Sequence, residues 1–146
     1  MKAILVTAIV LCLFTSMKCK KETEDCHHKI KFKNGSSRDI YAGCFDSSSG
    51  LFTSNFYKIV KYNQANYKFP MGEIQSGKRD GFYFRGCAEE EIGEASQGKI
   101  YIVVLDANML ENTDPAELER QHYNLKTYEL AIADLQKMNW SIEFKD

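Results

Sequence analysis

Residues 99–105, KIYIVVL, are the stretch that decides the fold. Ile100 and Ile102 alternate with Tyr101 and Val103, so both faces of an extended strand are apolar here. A strand with two apolar faces lies at the centre of a sheet and is covered above and below. The stretch therefore predicts a central strand with neighbouring strands beside it and packed layers on each side.

Shorter strand patterns surround this stretch. Residues 29–33, KIKFK, alternate charged and apolar side chains, which is the period of a half-exposed strand. Asn34 and Gly35 favour a tight turn with positive φ, so we expect residues 39–45, DIYAGCF, to return as the second strand of a hairpin. Further strands are predicted at 56–62 (FYKIVKY), 81–87 (GFYFRGC), 126–131 (KTYELA) and 140–144 (WSIEF).

Two short helices are predicted near the C-terminus. Residues 114–117, DPAE, supply a capping aspartate, a proline at the first helical position and a glutamate at the third. Apolar residues then recur every three positions over 132–138, and Asn139 can end that helix in a left-handed conformation. Two short helices among six or seven strands predict a mainly β fold, either β-sandwich-like or a small α+β domain with an antiparallel or mixed sheet.

Length and charge bound the folded part. Residues 29–146 suit a single β-rich globular domain with one core. Without residues 1–18, which hold Lys2 and Lys18, 17 of the 19 basic side chains remain against 20 acidic ones, a net charge of −3. The chain has no excess of basic side chains of the kind that favours binding to nucleic acid, so we expect no nucleic-acid partner.

The N-terminus predicts export. A short positive start precedes residues 3–14, AILVTAIVLCLF, in which only Thr7 is polar. This run is too short to cross a hydrocarbon core of about 30 Å as a helix. The pattern is typical of a secretory signal peptide, which we place at residues 1–18.

Cys19 stands where bacterial lipoproteins carry their lipid. The charged residues that follow it, KKETED, suit a flexible tether, so we predict a lipidated tether at residues 19–28 that holds the domain to a lipid bilayer. The resemblance to lipoprotein signals is incomplete, because Ser16, Met17 and Lys18 replace the usual aliphatic and small residues. A soluble periplasmic protein is the alternative.

Four cysteines follow the signal peptide, at positions 19, 26, 44 and 87. If Cys19 is acylated, one of the other three must stay single, and if it is not, four cysteines allow three pairings. Cys44 and Cys87 each end a strand-like run, and we favour a disulfide between them in an oxidising compartment. Two buried apolar thiols are the alternative.

The C-terminal block, residues 99–144, and residues 30–44 resemble a group of small, uncharacterised lipoproteins of Bacteroides-type gut bacteria. In that group a strand ending in Asp-Ala leads through two short helices and a Tyr-Asp/Glu-Leu segment to a final strand with Asn-Trp. Residues 85–96 depart from the pattern. The matching positions are Asp106, Ala107, Leu110, Glu111, Tyr128, Leu130, Asp134, Leu135, Asn139 and Trp140.

This resemblance implies an envelope lipoprotein and supplies no catalytic residue. Lysines followed by acidic residues after Cys19 also resemble the tag that sends such lipoproteins to the outer face of the outer membrane, although a plain solvated linker explains them equally well. We therefore expect a lipid-anchored protein of the bacterial cell envelope, in the outer membrane, facing either the periplasm or the surface.

Candidate chemistry is sparse. Asp106 ends the predicted central strand, where acids of active sites often lie, but an aspartate there is equally a turn-former. The alternative function is a hydrolase or metal-dependent enzyme that uses Asp106 together with His122 or the glutamates at 89–91. The simpler interpretation of these glutamates is a solvated loop. The CHH sequence at 26–28 is a weak metal motif, because adjacent histidines point to opposite sides of an extended chain. We predict no catalytic residue, no cofactor and no metal site.

Aromatic residues offer the remaining signal. Tyr57, Tyr62, Tyr67 and Tyr83 are candidate binding residues, because exposed rings stack on sugars or anchor proteins. The simpler alternative is that these rings fill the core or brace cross-strand pairs. The sequence as a whole predicts a non-enzymatic, lipid-anchored domain that binds an unidentified protein or glycan ligand.

Overall fold

The computed structural model describes Thr23, residues 25–62 and residues 71–146. The predicted signal peptide, Cys19 and Tyr67 lie outside the described residues. The elements, in chain order, are β1 (Lys29–Asn34), β2 (Ile40–Phe45), α1 (Ser54–Lys61), β3 (Met71–Ile74), β4 (Arg79–Tyr83), α2 (Ala88–Glu94), a 3-10 turn (Ser96–Gly98), β5 (Lys99–Asp106), α3 (Ala107–Asn112), α4 (Pro115–Arg120), β6 (Lys126–Ala131), α5 (Ile132–Lys137) and β7 (Ser141–Phe144).

The strands form two sheets. The larger sheet has the order β3-β2-β5-β6, and all its neighbours are antiparallel. The smaller sheet has the order β4-β1-β7, with β1 antiparallel to β4 and parallel to β7. The prediction of a central strand at residues 99–105 is confirmed, since β5 lies between β2 and β6.

β5 separates two hydrophobic clusters. Ile102 and its neighbours on one face pack against Ile30 and Phe32 of the smaller sheet. Val103 and Leu105 on the other face pack against the layer formed by α1, α3 and α4. The domain is thus a mixed α+β fold with three layers. The prediction placed the helices near the C-terminus, whereas α1 and α2 lie earlier in the chain.

α1 replaces the strand predicted at residues 56–62. Thr53 caps this helix, because its hydroxyl oxygen accepts a hydrogen bond from the Phe56 amide at 3.2 Å. Phe56, Tyr57 and Val60 are buried at helical spacing. Their aromatic and β-branched side chains favour strands. The Thr53 cap and the packing of the buried face against α4 stabilise a helix instead.

β1 and β2 do not form the predicted hairpin, because they belong to different sheets. The buried Asn34 side chain turns the chain from one sheet to the other: its amide donates to the carbonyl oxygens of Arg38 and Ile74 at 2.8 and 2.9 Å. Gly35 favours close approach of the two chain segments, since an added Cβ would lie 3.0 Å from the Phe144 carbonyl oxygen.

The two helices predicted near the C-terminus are present as α4 and α5, whereas α3 (Ala107–Asn112) was not predicted. Asp114 caps α4 by accepting from the Ala116 amide at 2.8 Å, and Pro115 is its first residue. Asn139 has a φ of 51° after α5, as expected for a left-handed end. Within residues 25–62 and 71–146, no helix is both long and apolar enough to cross a membrane.

Candidate functional site

Cys87 forms a disulfide with Cys26, which corrects the predicted pairing with Cys44. Cys26 lies just before β1 and Cys87 just before α2, whereas Cys44 lies on β2 in the other sheet and is free. The disulfide spans a sequence separation of 61 residues. Under the chain-entropy treatment, closing a loop of this length contributes about 4 kcal/mol.

His27 fixes the segment before β1 to the domain. Its ring stacks on Trp140 with centroids 4.2 Å apart, and its Nδ1 lies 2.6 Å from the Glu89 Oε1. The His28 Nδ1 lies 2.6 Å from the Gly86 carbonyl oxygen. Cys26, His27 and His28 therefore belong to the folded domain, which begins three residues before the predicted boundary at Lys29.

The glutamates at positions 89–91 form the first turn of α2 and not the predicted solvated loop. Glu89 accepts hydrogen bonds from the His27 backbone and side chain, while Glu91 accepts one from the Gly86 amide at 2.5 Å. Each residue of the CHH sequence thus has a partner other than a metal. In the part of the chain that the structure describes, no three His, Cys, Asp or Glu side chains are grouped to hold a metal ion.

Asp106 ends β5 as expected, and both of its carboxylate oxygens have structural partners. Oδ1 accepts from the Met109 amide at 3.0 Å and so caps α3, while Oδ2 accepts from the Arg38 Nη1 at 3.1 Å. The same hydrogen bond, together with the charge of Asp146, raises the pKa of Arg38. Among the described residues, neither a second carboxylate nor His122 bonds to Asp106, so the enzymatic alternative lacks the convergence that it requires.

The candidate tyrosines do not form one platform. Tyr57 is buried, and its hydroxyl donates to the Tyr123 carbonyl oxygen at 2.6 Å, so its candidacy as a binding residue was wrong. Tyr62 and Tyr83 are 61% and 72% exposed. Tyr62 follows α1 in the helical layer and Tyr83 lies on β4 in the opposite outer layer, so one ligand cannot contact both.

A groove of about 900 Å³ opens where β3 and β4 leave the space between the sheets incompletely covered. β3 and β4 are edge strands of the two sheets, so within residues 25–62 and 71–146 each has one side without a partner strand. The groove is lined by apolar or small residues from both sheets, namely Ala42, Cys44, Phe45, Met71, Gly72, Gly81, Phe82, Phe84, Ala95 and Ile100, with Tyr83 at its edge.

The charged residues of this groove are all acidic. Asp46 follows β2, Asp80 lies on β4, and Glu91 and Glu94 come from α2. Carboxylates around an apolar floor favour a ligand that combines an apolar group with positive charge. Sequence reasoning missed this site because five separate segments build it. Phe82 and Phe84 share one face of an extended chain, and this was the only sequence signal for the apolar floor.

Cys44 contributes a thiol to the groove. Burial, assisted by the charge of Asp46, raises the pKa of Cys44 to about 12. The thiol is therefore protonated near neutral pH and is a poor nucleophile. It serves as a small apolar surface for a ligand and not as a reactive group.

No family model, no curated protein and no solved structure matches this chain. The resemblance to small Bacteroides-type lipoproteins stays a prediction from the residues quoted for it. The function must be inferred from the geometry of the domain.

Proposed function

We propose that this chain is an exported, non-enzymatic binding domain, anchored to the bacterial outer envelope through a lipid on Cys19. Its groove between β3 and β4 binds an extended, cationic segment of a partner protein. The anchor and the location rest on the sequence of the N-terminal segment and on its resemblance to lipoprotein signals. The binding activity rests on the groove.

The observation that carries the proposal is an apolar floor surrounded by carboxylates, with no basic side chain among the described residues that line it. An apolar side chain of the partner would be buried against Phe82 and Ile100, while a lysine or arginine beside it would meet Glu94 or Asp46. The unpaired side of β3 also offers backbone groups that an added strand can use, the mode known as β-augmentation. A protein segment fits these features better than a glycan, which binds flat aromatic surfaces with mixed polar donors.

Gly72 allows a sharp test of the groove. It lies on β3 and shares the face of the buried Ile74, and an added Cβ would meet no atom within 4 Å. Gly72→Trp should therefore fill the groove without disturbing the fold. Glu73→Trp places the same side chain on the opposite face of the same strand and is the matched control.

The probe is a library of random ten-residue peptides displayed on phage, selected against the chain without residues 1–18 and with Cys19→Ser. We expect selected peptides to combine lysine or arginine with large apolar residues. Binding of the synthesised peptides, measured by fluorescence anisotropy, should weaken at least about tenfold in Gly72→Trp and remain in Glu73→Trp. Acidic or uncharged selected peptides, or equal binding by the two variants, would contradict the proposed groove function.

The anchor is tested separately by cell fractionation. Cys19→Ala should move the protein from the membrane fraction to the soluble fraction, because the thioether that carries the lipid can no longer form. If the Cys19→Ala protein stays in the membrane fraction, the anchor is wrong and the groove proposal is unaffected.

A further inference from the structure

The outer face of the smaller sheet carries a row of cations. Lys29, Lys31 and Lys33 alternate along β1 with the buried Ile30 and Phe32, so all three lysines lie on the side of the sheet that faces away from the core. β4 adds two residues to this side, since Arg79 is opposite Lys33 and Tyr83 is opposite Lys29. We call this surface, formed by Lys29, Lys31, Lys33, Arg79 and Tyr83, the cationic face.

Among the described residues, only one of these four cations, that of Lys33, is neutralised by an ion pair. Lys33 forms an ion pair with Glu143 at 2.5 Å, and the Lys29 Nζ donates to the Tyr83 hydroxyl at 2.6 Å. Lys31 and Arg79 form no ion pair with any residue of 25–62 or 71–146. Their charge is therefore available to an external anion.

The surface is concave at its centre. Lys31 is flanked by Ser141 on β7, which has a small side chain, and by Gly81 on β4, over which the Lys29 side chain lies. The depression that includes Lys31 and Ser141 has a volume of about 630 Å³. Four cations line it against two carboxylates, those of Asp80 and Glu143, on a chain whose overall net charge is −1.

The spacing of the charges indicates the kind of anion. The Cα atoms of the three lysines on β1 span roughly 13 Å. Their charged groups are spread across the sheet, because the Lys29 side chain crosses Gly81 to reach Tyr83 on β4 and the Lys33 Nζ reaches Glu143 on β7. Cations distributed over a surface of this size fit anionic groups that repeat along a polymer better than they fit one small anion. The Tyr83 ring is exposed, and the Lys29 Nζ lies 4.5 Å from its centroid. A sugar ring would pack against the part of the Tyr83 ring that Lys29 leaves uncovered.

We propose that the cationic face binds a linear acidic polysaccharide, with its anionic groups at Lys31 and Arg79 and one sugar ring against Tyr83. A polysaccharide is favoured over a lipid surface because the face is concave and Tyr83 is its single large aromatic group, whereas a bilayer is flat and is best held by several apolar residues that insert into it. This site lies on the outer side of the smaller sheet, shares Asp80 and Tyr83 with the lining of the groove, and does not rest on the proposed function.

The experiment measures binding of the folded chain to polygalacturonate by isothermal titration calorimetry at several salt concentrations. Neutral dextran, sodium sulfate and vesicles of phosphatidylcholine with phosphatidylglycerol serve as alternative ligands. We expect binding to polygalacturonate that weakens as salt rises and no measurable binding to dextran. Binding to the vesicles alone, to sulfate alone, or equally to dextran would overturn the proposal.

Substitutions locate the site. The double variant Lys31→Gln, Arg79→Gln should lose at least about tenfold in affinity, and Tyr83→Ala roughly threefold or more. The matched control is Lys137→Gln, which removes an exposed charge on α5 and should bind like the native chain. Full affinity in the double variant would overturn the assignment, and the urea midpoint of each variant checks that it is folded.

Discussion

The imidazole of His27 and the indole of Trp140 are stacked, with centroids 4.2 Å apart and an angle of 14° between the rings. This contact joins the segment before β1 to the residue before β7. Because Trp140 is buried against the core between the sheets, the stack closes one end of that core. The N-terminal segment is therefore part of the stable domain.

His27→Ala tests this contact. The chain has one tryptophan, so its fluorescence reports on the stack alone. We expect a shift of the emission to longer wavelength, because water reaches the indole, and a loss of about 1 kcal/mol in the free energy of unfolding. His28→Ala leaves the indole covered and should keep the native emission. Identical spectra for His27→Ala and the native chain would contradict the stack.

Loss of the Cys26–Cys87 disulfide should destabilise the domain strongly. The double variant Cys26→Ser, Cys87→Ser should lose roughly 4 kcal/mol in the free energy of unfolding, measured with urea, because its unfolded chain is less constrained. Peptide mapping without reduction checks the pairing directly. A linked peptide that contains Cys44 and Cys87 would show that the disulfide assigned here is wrong.

Cys44 should react slowly with iodoacetamide. With a pKa raised to about 12, its thiolate fraction grows about tenfold for each pH unit and does not level off below pH 10. Rates measured between pH 7 and 10, on a chain that lacks Cys19, should rise accordingly. A plateau near pH 9, the behaviour of an ordinary thiol, would contradict this environment. Urea-unfolded protein provides the fast reference.

Glu89 should make stability depend on pH in the acid range. Partial burial opposes its ionisation, but the hydrogen bonds from the His27 side chain and backbone outweigh this effect, and the pKa of Glu89 lies below its ordinary value. A depressed folded-state pKa contributes stability that is present above the unfolded value and is lost as the pH falls through the folded value.

The measurement compares native chain and Glu89→Gln by urea unfolding at several pH values. The difference in free energy of unfolding should be largest well above the ordinary pKa of a glutamate and should shrink as the pH falls through the lowered folded-state pKa of Glu89. Glu90→Gln, which changes an exposed residue of the same helical turn, is the control. A difference that grows as the pH falls would contradict the sign of the shift.

Substitution of Asn34 should lower the free energy of unfolding more than substitution of most other polar residues. Its side chain bonds to the carbonyl oxygens of Arg38 and Ile74, and its Oδ1 accepts from the Ser36 hydroxyl at 2.6 Å. Asn34→Ala leaves these buried groups without partners and should cost about 2 to 4 kcal/mol in the free energy of unfolding. Asn112→Ala, at an exposed position, should cost less than about 0.5 kcal/mol. Urea unfolding of both variants decides the comparison.

Local signals explain what could be predicted from the sequence. The apolar run of β5, the cap and proline that begin α4, and the asparagine that follows α5 act within a few residues of where they occur. The predicted strands at 126–131 and 140–144 correspond to β6 and β7 for the same reason. Local propensity and final structure agree at these places.

Non-local contacts explain the rest. The composition of residues 56–62 favours a strand, and only packing against α4 turns it into a helix. The Asn34-Gly35 pair indicates a turn but not the sheet that the next strand joins. Cys26 pairs with Cys87 because the contact between His27 and Glu89 holds the two segments together. The spacing of the cysteines along the chain does not predict that contact. The groove depends on the relative position of two sheets, which periodicity does not specify.

The parallel pairing of β1 with β7 also governs when this protein can fold. Lys33 and Glu143 are paired across 110 positions of the chain. While ribosomes are still adding the later residues, Ile30 and Phe32 have no neighbouring strand on that side and the smaller sheet stays open. The smaller sheet should consequently stay sensitive to proteases until residues 141–144 have been added, whereas the strands of the larger sheet end at Ala131 and can pair earlier.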